Sequence, residues 1–113
     1  MGLIFWVDEN KFVADLVGKV FRKKGLEFYH LESVEEFSFR VMDLKPEMIV
    51  IDGETLERKR DLFKDQFAKN PSLENYSYVL KGETDFSDFP RLLGKLPLPL
   101  DPFQVPDLLR SMK

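Results

Sequence analysis

The chain has 113 residues, 43% hydrophobic and 33% charged, which suits one globular domain with a core of its own. A net charge of −3 and a sequence pI near 5.2 argue against a nucleic-acid surface built on bulk positive charge. No cysteine is present, so disulfides, thiol catalysis and Cys-rich zinc sites are excluded, and the single histidine, His30, leaves little for a His-based metal site or a Ser-His triad.

The first element is LIFWV, Leu3 to Val7, a continuous apolar run that stops at two acids, Asp8 and Glu9. It reads as a buried strand. Phe12, Val13, Leu16, Val17, Val20 and Phe21 then recur by three and four, predicting a helix capped by Asn10 and closed by Gly25. The basic run Arg22 to Lys24 suits the last turn of that helix. LEFYHL, Leu26 to Leu31, predicts a second strand of mixed polarity near an edge, with His30 as a structural residue. Ser33 and Glu36 make an S-x-x-E capping box for a helix carrying Val34, Phe37, Val41 and Met42, ended by Pro46.

EMIVIDGETL follows, in which the apolar run Met48 to Ile51 ends on one carboxylate, Asp52. A third helix opens at Thr55 or Leu56, carries Leu62, Phe63 and Phe67, and stops at Asn70-Pro71. YSYVL, Tyr76 to Leu80, predicts a fourth strand. A short helical stretch interrupted by Pro90 holds Phe86, Phe89, Leu92 and Leu93. LPLPL, Leu96 to Leu100, can be a fifth strand only at an edge or in its last residues, because its two prolines withhold donors. Val105, Leu108, Leu109 and Met112 mark a final short helix. There is no internal repeat or linker, no apolar run near the roughly 20 residues that span a bilayer, and no signal-peptide pattern. The expected location is the cytoplasm.

Strands that alternate with helices predict an α/β fold, a doubly wound parallel sheet covered on both faces. Ligands of such sheets sit beyond the carboxyl ends of the strands, where Asp8, Glu9 and Asp52 fall. Taken singly, each acid reads as a cap or turn residue. Taken together, they would repel one another without a cation. An oxygen-rich, nitrogen-free set suits Mg²⁺, and a metal beside a partly exposed carboxylate suits phosphoryl transfer to that carboxylate.

These residues resemble the receiver domain of two-component response regulators, the CheY-like family, over essentially all of residues 1–113. The resemblance implies a flavodoxin-like (βα)5 domain with strand order 2-1-3-4-5, excised from a longer chain if the short last helix is a guide. It implies that Glu9 ligates Mg²⁺ directly, that Asp8 does so directly or through water, that Asp52 accepts the phosphoryl group, and that the backbone carbonyl of Glu54 completes the protein ligands. LPLDPF, Leu98 to Phe103, resembles the family's Lys-Pro-hydrophobic-Asp-Pro segment, which makes Leu98-Pro99 a candidate cis bond. Receivers take their phosphoryl group from a histidine kinase and switch the face formed by helix four, strand five and helix five. The implied partners are therefore a histidine kinase or an output domain, with that face also available to a homodimer, and no direct contact with nucleic acid or membrane. No enzyme activity is implied beyond self-phosphorylation and dephosphorylation at Asp52.

The sequence departs from the family in its phosphate-reading half. Lys81 stands where the family has Ser or Thr, Leu98 stands where it has a lysine, and Lys95 falls at the switch aromatic. Lys81 has three readings: a substitute for the missing lysine, a standing ion pair with Asp52, or a side chain in water. Phe86, Phe89 and Phe103 read either as core or as an exposed patch for a partner. The expectation is an atypical receiver, a pseudo-receiver, that acts through protein contact; a fully phosphorylatable, Mg²⁺-dependent receiver is the alternative. Two remote alternatives fit worse. VIDGETL resembles the DxDGT loop of haloacid-dehalogenase-like phosphatases, but Glu54 stands at its second Asp. A flavodoxin-like FMN site would need a phosphate loop where ENKFV stands.

Overall fold

The apolar runs predicted as strands become the centre of a five-stranded, all-parallel sheet in a computed structural model that describes residues 1–113. The strands are β1 (Ile4–Val7), β2 (Phe28–Leu31), β3 (Met48–Asp52), β4 (Tyr78–Lys81) and β5 (Leu92–Leu96), ordered β2-β1-β3-β4-β5. β1, β3 and β4 are buried along their whole length. Both faces of the sheet are covered, which is why these strands read as unbroken apolar runs.

Alternation sorts their side chains between two cores. Phe5, Val7, Ile49, Ile51, Tyr78 and Leu80 pack against α2 (Phe37–Leu44) and against α3 (Gly53–Arg58) and α4 (Arg60–Lys69), through Phe37, Leu56, Phe63 and Phe67. Ile4, Trp6, Met48, Val50, Val79 and Leu96 pack against α1 (Lys11–Lys23) and α5 (Val105–Ser111), through Val17, Phe21, Val105 and Leu109. No helix is long and apolar enough to cross a membrane.

Several predicted boundaries hold. Asn10 caps α1 by accepting from the Phe12 and Val13 amides. Gly25 takes φ +69 just beyond that helix, where a residue with a Cβ would be strained. β2 lies at an edge, and Asn70-Pro71 ends α4.

Other boundaries need correction. The Ser33–Glu36 capping box does not form: Ser33 Oγ donates to Glu35 instead, and a 3₁₀ turn over Val34–Glu36 precedes α2. The third helix starts earlier than Thr55, because Asp52 caps it, and it is broken at Lys59 into α3 and α4. β4 begins at Tyr78 and takes in Lys81.

The largest difference lies between β4 and β5, where no helix forms. Asp85 accepts from the Ser87 amide and hydroxyl in a tight turn, and Arg60 donates to the Asp85 carbonyl and to Asp88. Phe86 and Phe89 fold inward onto Tyr78, Phe63 and Phe67. Aromatic packing thus fills the place of the expected helix. β5 accordingly starts at Leu92, and the LPLPL segment lies largely beyond it as a loop with Leu98-Pro99 cis.

Candidate functional site: an acid corner closed by a lysine

Three strands deliver one cluster. Trp6 and Asp8, Val50 and Asp52, and Val79 and Lys81 are each two residues apart, so each polar group continues an inward row of side chains to the carboxyl rim of the sheet. The register sets Asp52 directly beside Lys81 and Val7 beside Ile51. The Lys81 ammonium lies 2.7 Å from Asp8 Oδ2 and 3.1 Å from Asp52 Oδ1, and all three side chains are nearly or wholly buried. Such a cluster holds only because each charge has its partner; removing one member leaves an uncompensated buried charge.

The remaining oxygens are also engaged. Asp8 Oδ1 accepts from the Asn10 amide at 2.8 Å, and Asp8 Oδ2 accepts from Trp6 Nε1 at 3.2 Å. Asp52 Oδ2 accepts from both the amide and the hydroxyl of Thr55, at 3.0 and 2.8 Å. The Thr55 hydroxyl in turn accepts from the Glu9 amide at 3.0 Å. His30 Nε2 donates to the Asp8 carbonyl at 2.7 Å, so this histidine braces the turn after β1. The neighbouring Asp52 thus serves as helix cap and charged site at once.

A cleft of about 230 Å³ opens over Asp52 and Lys81, with Arg58, Thr84 and Leu98 among its walls. Gly53 permits its close floor, since a Cβ there would stand 2.5 Å from Thr84 Oγ1 and 3.0 Å from the Lys81 carbonyl.

No family model and no curated protein matches the sequence. Solved structures match along nearly its whole length. The chemotaxis response regulator CheY4 of Vibrio cholerae superposes with a TM-score of 0.75 at 14% identity, covering 100% of this chain and 99% of that one. The N-terminal domain of a response regulator/sensory box/GGDEF three-domain protein from Carboxydothermus hydrogenoformans gives 0.73 at 13%, with 97% and 92% covered. The pseudo-receiver domain of the CikA protein gives 0.68 at 16%, with 99% and 97% covered.

The chain has the CheY-like, flavodoxin-like fold.

Against the receiver pattern, the predicted residues divide. Asp8, Asp52 and Lys81 come together. Glu9 turns away, its Oε1 accepting from Arg58 Nε at 2.9 Å, and that carboxylate raises the Arg58 pKa above its ordinary value. The Glu54 side chain is exposed. Leu98 is exposed on the cleft wall, and Pro99 follows it in the loop after β5. Lys95 lies on β5 and reaches Glu83 at 3.6 Å. Of the three phenylalanines, Phe86 is buried and Phe89 partly buried against the core, while Phe103 is 72% exposed.

The residues present do not fit a divalent cation. The position between Asp8 and Asp52 is filled by the Lys81 ammonium, the Asp8 and Asp52 oxygens accept from protein donors, and Glu9 is paired elsewhere. No group of three or more acids is gathered for a metal. Thr55, Arg58 and Thr84 were not among the predicted site residues. Thr55 had a readable signal, since Asp52 and a threonine three residues on form an N-cap pair. Arg58 and Thr84 had none.

Proposed function

We propose that this chain is an atypical receiver domain, a signalling module that works by protein contact, with its acid corner bridged by a lysine and held in one arrangement without a phosphoryl group. The observation that supports this most directly is Lys81 Nζ lying between Asp8 and Asp52, at 2.7 and 3.1 Å. Phosphoryl transfer to Asp52 would need a free carboxylate oxygen. Oδ1 faces the ammonium, and Oδ2 holds the Thr55 amide and hydroxyl. The positions that would sense a phosphoryl group carry Lys81 and Leu98, which have no side-chain hydroxyl and no cation respectively, so little differential contact is available to move a distant face.

The partner would be a histidine kinase or an output domain. Its contact is assigned to the surface where Phe12 and Phe103 are most exposed and where Leu16 and Phe103 share an apolar groove. Lys19, Arg22 and Lys23 rim this groove, so it suits an apolar side chain flanked by carboxylates. Phe86 and Phe89 are committed to the core, and the expected dimer face lacks its helix.

The test is intact mass after incubation with acetyl phosphate and MgCl₂. The expected result is no mass increase. Addition of one phosphoryl group, lost in Asp52→Asn, would overturn the proposal.

A further inference from the structure

We infer that Lys81 and Arg58 together take the place of a divalent cation at the acid corner, so that the corner is complete without metal and becomes metal-dependent only when Lys81 is removed. This rests on the receiver reading above for its comparison with a metal-holding corner; the geometry is the chain's own.

Asp8 and Asp52 face each other at the ends of β1 and β3, and Glu9, next in sequence to Asp8, points away from them. Two side-chain cations face these acids, Lys81 on Asp8 and Asp52, and Arg58 on Glu9. Their joint charge equals that of one divalent ion. The two cations also split the acids, drawing Glu9 outward and leaving Asp8 and Asp52 bridged by a single nitrogen. Burial makes the bridge reciprocal. An ammonium whose side chain is 7% exposed needs anionic partners, and aspartates at 0% and 7% exposure need a cation.

Lys81 reaches this position because it ends β4 in register with Asp52. If its ammonium is replaced by an apolar end of similar length, two buried carboxylates face each other with no counter-charge. An oxygen-lined gap of that kind draws a hard cation, with waters completing its shell. Arg58 stays on Glu9 in that variant, so the two aspartates would be the principal protein ligands.

The experiment compares wild type with Lys81→Met. Mn²⁺ binding is followed by water-proton relaxation, and Tm is measured in MgCl₂ against NaCl at matched ionic strength. Wild type is expected to show no saturable Mn²⁺ binding and the same Tm in both salts. Lys81→Met is expected to melt lower in NaCl, to recover in MgCl₂, and to bind Mn²⁺ at least about tenfold more tightly than wild type. The double variant Asp8→Asn/Lys81→Met, which removes one acid with the cation, is expected to fold and to bind neither metal.

Saturable one-to-one binding of Mn²⁺ by wild type overturns the inference, as does a Lys81→Met chain that neither metal binds or stabilises. Metal binding by wild type without phosphoryl uptake from acetyl phosphate overturns this inference alone. Uptake at Asp52 overturns the proposed function as well.

Discussion

Lys81 carries its charge into the sheet because alternation along a strand leaves it no other direction. Val79 faces the α1–α5 core, so the residue two places on must face the same way. Lys81→Met should therefore cost about 3–5 kcal/mol in urea unfolding, since it strands two buried carboxylates. Thr55→Val tests a subtler join. Its hydroxyl links Asp52 to the Glu9 amide, and both would lose a partner. The expected loss is about 1–3 kcal/mol, and a loss near zero would show that water replaces the hydroxyl. The sequence made the Asp52–Lys81 pair legible as one of three readings. It did not show that Lys81 also holds Asp8, because strand order alone does not fix how far the lysine side chain reaches past Asp52 across the rim. The Arg58–Glu9 pair was hidden for a similar reason: its members come close only after a strand, a helix, another strand and another helix have packed.

The segment between β4 and β5 shows where periodicity misleads. Phe86, Phe89, Leu92 and Leu93 recur at helical spacing, yet the first two serve a loop and the last two a strand. Phe86 and Phe89 were open to two readings, core or partner patch, and both pack against the core from a loop, not a helix. Local turn chemistry at Asp85, together with Arg60 reaching across from α4, decides the backbone path. Phe86→Ala should cost about 3–5 kcal/mol, because Phe86 packs on Tyr78 and Phe89 as a core residue does. Arg60→Ala should leave global stability nearly unchanged while speeding amide hydrogen exchange in residues 82–91. Equal exchange in both proteins would mean that the phenylalanines alone hold the loop.

For the whole molecule, a parallel sheet buried on both faces was legible, because continuous apolar strands between helices admit few other arrangements, while the strand order followed from the resemblance to receivers. Helix boundaries were less so: Ser33 makes no cap hydrogen bond, Asp52 caps α3 through the Thr55 amide, and no side-chain cap marks the break at Lys59. The pH response follows from one buried hydroxyl. Tyr78 donates to the Leu73 carbonyl at 2.7 Å, and burial raises its pKa well above the ordinary 10.0. A folded value above the unfolded one means that stability is full below about pH 10 and falls above it, as the unfolded chain releases a proton the folded chain keeps. The decline should approach about 1.4 kcal/mol per pH unit and should be absent in Tyr78→Phe.

The central claim, that Lys81 already fills the acid corner, has an optical reporter in place. Trp6 is fully buried, and its indole Nε1 lies 3.2 Å from Asp8 Oδ2. The measurement is Trp6 fluorescence in wild type through a Mg²⁺ titration followed by beryllofluoride. The account predicts an unchanged spectrum at both steps. A saturable change with beryllofluoride that Asp52→Asn abolishes would contradict it.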